Sequence, residues 1–216
     1  MNADQEDVYY YITTLNENYE HPAMPEGAEE GIKKGLYLLK AGPPAAGKGK
    51  TAPRVQLLGC GSILREVMAA ADLLRDDWGV EADIWSAPSL TELGRDAVDV
   101  ERWNLLHPTE PPRRSWVEQC LAGRAGPVVA ATDYMRAFAE QIRPYVTAPY
   151  RVLGTDGFGR SDYRRKLRHF FEVDRHWVTL AALESLAKEG AIPAAKVAEA
   201  IAKYGIDPDK PNPAKV

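Results

Sequence analysis

From Val55 onward, short apolar runs alternate with stretches of helical periodicity, and few folds accept that alternation. Val55-Gln56-Leu57-Leu58, Ala82 to Ser86, Pro127 to Thr132 and Tyr150 to Gly154 read as short buried strands. Between and after them, helices are predicted over Ile63 to Trp78, Asp99 to Leu106, Tyr134 to Ile142, Tyr163 to Phe170, His176 to Lys188 and Ala194 to Tyr204. The first carries apolar residues at Ile63, Val67, Ala70, Ala71, Leu74 and Trp78 and stops at Gly79. Thr91 opens a further helical turn, Asp133 caps the helix that follows it, and Asp174 caps the one at His176. Ser115 to Leu121 fits helix or extended chain. Strand and helix joined by short connections imply a mostly parallel sheet with helices on both faces, a three-layer α/β domain.

The amino-terminal part reads differently. Val8 to Leu15 is aromatic and β-branched, the pattern of a strand, but no hairpin partner is near. Asn16 to Pro22 breaks it. A short helix around Ala28 to Lys34 and a strand at Leu36 to Leu39 follow. Ala41 to Pro53 is a linker of small residues, Pro, Gly and Lys, with its tip at Ala45 to Thr51. Gly205 to Val216 holds three prolines in an extended tail.

Composition narrows the function classes. The 216 residues are 45% hydrophobic and 27% charged, which suits one soluble domain that needs no metal or disulfide staple. A formal net charge of -4, with both signs interspersed, gives no nucleic-acid signal. Cys60 and Cys120 form no CxxC pair and read as reduced, mostly buried thiols. No apolar run is long enough for a membrane span, and Met1 to Asp7 is too polar for a signal peptide. The chain is therefore expected to be cytoplasmic.

Two glycine-rich loops are the candidate sites. Gly59-Cys60-Gly61-Ser62 follows a strand and opens a helix, where free N–H groups can hold an anion. Leu64 stands where the dinucleotide fingerprint needs a third glycine, so a tight turn accounts for the pattern without a ligand. Gly154-Thr155-Asp156-Gly157-Phe158-Gly159-Arg160-Ser161-Asp162 lies past the carboxyl end of a strand, where open α/β sheets place ligands. Asp156, Arg160 and Asp162 are expected to form an ion-pair network that locks the loop, or else to grip a carboxylate or phosphate. Loop architecture or an interface is favoured. His21, His107, His169 and His176 are scattered, and a helix break separates the last two, so no metal set is expected. No GxSxG elbow, P-loop or HExxH occurs. Arg113-Arg114 beside Trp116 is a small basic-aromatic patch of the kind found at interfaces, and the five tryptophans suit core and subunit contacts.

Several long strings carry a resemblance. Tyr10-Tyr11-Ile12-Thr13-Thr14-Leu15-Asn16-Glu17-Asn18-Tyr19, Pro22 to Gly27, Arg102 to Pro108, Gly154 to Asp162, Phe171 to Asp174 and Ala200 to Asp207 occur in that order. Together they resemble the end of the homodimeric bacterial pyruvate dehydrogenase first component, a transketolase-like thiamine-diphosphate enzyme. The resemblance runs from Val8 to the end. It implies that residues 1–25 are the last strand and exit of a pyrimidine-binding domain, 26–53 a linker region, 54–204 the carboxy-terminal domain and 205–216 a tail. That would explain the orphan strand.

The resemblance also implies a reaction, the oxidative decarboxylation of pyruvate with acetylation of lipoyl groups on a dihydrolipoyl acetyltransferase component. The thiamine diphosphate and magnesium that it needs are expected outside this stretch. Asp156-Gly157 lacks the Asn that the family's metal motif requires, so no catalytic, cofactor or metal residue is carried over. The implied role is to stabilise a homodimer and to pack against the other domains, without nucleic acid or membrane. Asn16, Glu17, Asn18 and Tyr19, within Asn16 to Pro25, and the loop bearing Thr155, Asp156, Phe158, Arg160 and Asp162 are the expected contacts. Two alternatives stay open. One is an autonomous module with a small anion or nucleotide between Gly59, Gly61, Ser62 and the Thr155 to Asp162 loop. The other is the same domain of a transketolase or a 2-oxoglutarate dehydrogenase.

Overall fold

The computed structural model describes residues 7, 9, 14, 17–43 and 52–216. The orphan strand at Val8 to Leu15, Asn16 and the linker tip therefore lie outside the described residues, apart from Tyr9 and Thr14. Five strands make one sheet: β1 (Tyr37–Lys40), β2 (Arg54–Gly59), β3 (Glu81–Ser86), β4 (Val128–Ala131) and β5 (Tyr150–Leu153). Their order is β1-β3-β2-β4-β5. β3, β2, β4 and β5 are parallel, and β1 adds an antiparallel edge to β3. The mostly parallel α/β sheet implied by the alternation is thus the observed one.

Residues of β2 alternate between the two faces. Val55 and Leu57 join a core with α2 (Leu64–Trp78) and α7 (Arg175–Lys188), under α8 (Ala195–Lys203). Leu58 joins the opposite core, with Trp85 and residues of α3 (Leu90–Leu106), α4 (Trp116–Leu121) and α5 (Arg136–Glu140). In β4, Val129 and Ala131 face the first core, and Val128 and Ala130 the second. Burial on both faces is what a central parallel strand requires, and it explains the near-continuous apolar runs. Two short helices, α1 (Glu29–Lys34) and α6 (Arg164–Phe170), complete the described elements apart from single 3-10 turns.

Several local expectations need correction. The turn at Thr91 and the helix at Asp99 are one helix, α3, and Ser89 rather than Thr91 caps it by accepting the Glu92 N–H at 3.1 Å. Within α3, Gly94 lies against Gln141, where a side-chain carbon would come within 3.2 Å of Oε1. Asp133 does not cap the next helix. That helix starts only at Arg136, after an extended Met135, because the Asp133 carboxylate accepts the Ser62 hydroxyl instead. Ser115 to Leu121 resolves to helix α4, closed by a reciprocal pair between Ser115 and Glu118. Asp174 does cap α7, through the N–H groups of His176 and Trp177.

The tail is not simply extended. Pro213–Lys215 forms a 3-10 turn with Pro213 buried. Gly157, at φ +110°, lies so close to it that a side-chain carbon would be 2.3 Å from the Pro213 carbonyl oxygen. Gly157→Ala is therefore expected to lower stability by about 1–3 kcal/mol and to loosen the tail. Urea unfolding, with protease sensitivity at residues 205–216, checks this.

Candidate functional site at the carboxyl ends of the strands

β2 leads to β3 on one side and pairs with β4 on the other, so strand order reverses between β2 and β4. A crevice at such a point is the usual ligand position in open α/β sheets. Three loops converge there, and they bring together both glycine-rich segments singled out in the sequence.

The loop after β2 turns at once into a 3-10 turn (Gly61–Ile63) and α2. A side-chain carbon on Gly59 would be 2.7 Å from Leu64 Cα, so only glycine allows this close passage. The anion position ahead of the turn is filled from within. The Asp133 carboxylate accepts the Ser62 hydroxyl at 3.0 Å, and its Oδ1 is 3.3 Å from where a side chain on Gly61 would begin. A resident carboxylate repels the small anion that the autonomous-module reading places there.

Asp133 also ties in the third loop. Its carbonyl accepts the Thr155 hydroxyl at 2.6 Å, and Thr155 N–H donates to Tyr134 O at 2.9 Å. The expected network of Asp156, Arg160 and Asp162 does not form. Asp156 instead accepts the Arg136 N–H at 3.1 Å and pairs with the Arg136 guanidinium. The Arg160 guanidinium lies over the Phe170 ring, 4.8 Å from its centroid. Asp162 accepts its neighbour Tyr163's N–H and is 3.9 Å from Lys166. Each charge faces another element, so the loop is fixed from outside.

The segment at Glu17 to Tyr19 reaches the same end. Glu17 pairs with Arg164 at 2.7 Å and accepts the Tyr19 hydroxyl at 2.8 Å. Arg65 stacks on the Tyr19 ring. Arg168 donates to Tyr19 Oη at 3.1 Å and to Glu66 at 3.1 Å, and its Nη2 is 3.4 Å from Ser62 Oγ. Asn18 is exposed.

Glu66, missed in the sequence, anchors this end. It is buried on α2 and bound by Arg168 from α6 and by the side chain and N–H of Arg175 from α7. Burial by itself raises a carboxyl pKa, but the Arg175 hydrogen bonds and charge, with Arg168 behind, hold Glu66 below its ordinary range. One signal was available: Glu66 follows Ile63 by three residues and so falls on the apolar stripe.

Neither cysteine is a poised nucleophile. Burial pushes the Cys60 thiol up, with the Thr132 hydroxyl as its hydrogen-bond partner. Burial likewise pushes Cys120 up to about 11. A thiol-reactive disulfide at pH 8 is expected to label neither cysteine until the protein is unfolded, when both react. Fast labelling of the folded protein would contradict this. Among the described residues, no group of three or more His, Cys, Asp or Glu is placed to hold a metal. His169 is instead paired with the Asp174 cap at 2.9 Å. No helix among the described residues is long and apolar enough to cross a membrane.

What this end leaves unsatisfied is apolar. Phe158 is 81% exposed, Tyr163 59%, and Tyr134 and Met135 each 52%. Exposed aromatic groups beside a polar, internally paired frame suit a contact surface.

Residues 35–174 match the family model of the transketolase-like TK carboxy-terminal domain. The chain belongs to that family. Over all 216 residues it is 66% identical to a pyruvate dehydrogenase E1 component of Cupriavidus necator, and covers 24% of that protein. Over 210 residues, 97% of the chain, it is 60% identical to the corresponding protein of Escherichia coli K12, and covers 23% of it. The chain thus spans about a quarter of the length of these relatives. A solved transketolase from Campylobacter jejuni overlaps 71% of the chain and 19% of its own, with 18% identity and a TM-score of 0.46.

Proposed function

We propose that the chain acts as the carboxy-terminal domain of a pyruvate dehydrogenase first component. In this reading it stabilises a homodimer around active sites built by other domains, and has no turnover alone. The parent enzyme would decarboxylate pyruvate oxidatively and pass the acetyl group to lipoyl groups of an acetyltransferase component. The identity of 66% over the whole chain carries this reading. The Glu17 to Tyr19 segment and the exposed Phe158, Tyr163, Tyr134 and Met135 support a packing role at the carboxyl ends of the strands. A cytoplasmic setting fits two thiols that are unpaired and buried or half-buried.

The residues present do not fit thiamine diphosphate or its magnesium. Asp156, the acid of the only Asp-Gly pair near the crevice, is committed to Arg136, and Asp133 to Ser62. In this reading the cofactor and metal belong to other domains, and no catalytic step is assigned here.

The test is a pyruvate-dependent electron-acceptor assay on the 216-residue polypeptide with thiamine diphosphate and magnesium. No turnover from a folded sample is expected. Turnover that persists after removal of contaminating full-length enzyme would overturn the proposal.

A further inference from the structure

A second concavity lies at the opposite end of the sheet and is independent of the interface reading. It is a half-open cleft of about 410 Å³ at the amino ends of β4 and β5, between the end of α4 and residues 145–148. Its size falls at the lower end of the range for small-molecule sites. Leu121, Val128, Val146 and Ala148 are among its apolar lining residues, and Arg114 and Arg124 are its basic ones.

The cations of this cleft are under-used. Among the described residues, the Arg114 guanidinium has no acidic or hydrogen-bonding partner. Arg124 lies over the Trp85 ring, 5.1 Å from its centroid, and its only acidic neighbour among the described residues is Asp83, at 3.8 Å. Asp83 is already committed, accepting from Arg54 at 2.8 Å, Gln56 at 2.9 Å and Gly42 N–H at 2.9 Å. The Thr147 hydroxyl, on the facing wall, likewise has no partner among the described residues. The acid that shares the cleft, Glu118, is committed too: one of its oxygens accepts both the N–H and the hydroxyl of Ser115, at 2.7 and 2.6 Å. Two forked cations and a hydroxyl beside an apolar lining are what a carboxylate or phosphate on a hydrophobic body requires.

We infer that this cleft, bounded by Arg114, Arg124 and Thr147, binds a small organic anion, a carboxylate or a phosphate monoester with an apolar body. The guanidinium groups take the anionic head, and Leu121 and Val146 cover the body.

Nuclear magnetic resonance titration of the 216-residue protein tests this, with phenyl phosphate and benzoate as probes and inorganic phosphate as the control. Saturable shifts confined to the amides of residues 121–126, 128 and 145–148 are expected with at least one probe, and which probe binds more tightly identifies the head group. Arg114→Gln should weaken that binding about tenfold. Thr147→Val should weaken it too, while Arg160→Gln at the far end should leave it unchanged. Arg114 and Thr147 are exposed, so their variants should fold as the parent does. Absence of saturable shifts with both probes would overturn the inference. So would binding that Arg114→Gln leaves intact, or inorganic phosphate binding as tightly as phenyl phosphate.

Discussion

Gly126→Ala is expected to lower the stability of the domain by about 2–5 kcal/mol. Gly126 sits at φ +84°, where any side chain is strained. It also enters β4 pressed against the start of β2: an added side-chain carbon would be 1.7 Å from the Arg54 carbonyl oxygen and 2.7 Å from its carbon. Neither strand can withdraw easily. Gln56 N–H donates to Pro127 O at 2.9 Å, and the two strands then continue in parallel register from Gln56 and Val128. Gly123 supplies the control, because it also has positive φ, +69°, but nothing within 4 Å of an added carbon. Gly123→Ala should cost only about 1–2 kcal/mol. Urea unfolding of both variants separates conformational strain from collision. Equal losses would mean that the close approach of the two backbones carries no energy.

Glu66→Ala is expected to cost about 2–3 kcal/mol. Removing one partner of a buried pair leaves an uncompensated charge, and Arg168 is only 16% exposed. Arg175 is 46% exposed, so water recovers part of its loss and the cost falls short of that for a fully buried pair. The same carboxylate gives a pH dependence of known sign. Its folded pKa is depressed, so its contribution is fully present above the ordinary carboxylate range and disappears as pH falls through the folded value. Stability of the parent protein should therefore decline below about pH 4 more steeply than that of Glu66→Gln. Parallel curves for the two proteins between pH 6 and 2.5 would mean that Glu66 is not held ionised by its arginines.

Much of the fold was legible because its strands are buried on both faces. Val128 to Ala131 reads as an unbroken apolar run, and Val55 to Leu58 as one interrupted by Gln56, for that reason. The helix α7 announced its own start, since a cap acts within three residues: Asp174 serves His176 and Trp177. Boundaries failed where a distant group decided them. The turn at Thr91 and the helix at Asp99 proved to be one helix running through Gly94, which packs on Gln141, and Asp133 looked like a cap until Ser62, seventy-one residues earlier, took its carboxylate.

The candidate site was less legible than the fold. Both glycine-rich loops were picked out and do meet, but their partners were not foreseen. Local spacing says which residues can form a helix face or a turn. It does not say that β4 lies between β2 and β5, and that order is what brings Asp133 to Ser62 and Arg136 to Asp156. The arginines on Glu66 come from α6 and α7, about a hundred residues downstream, for the same reason.

The central claim is that this chain is a packing domain for an enzyme assembled elsewhere. The most direct measurement is reconstitution with the Cupriavidus necator protein truncated before the matching 216 residues, assayed for pyruvate-dependent reduction of an electron acceptor. Little activity is expected from either piece alone, with recovery on mixing that is reduced when Phe158 and Tyr163 are both changed to Ser. A truncated protein that is fully active by itself, unaffected by this chain, would contradict it.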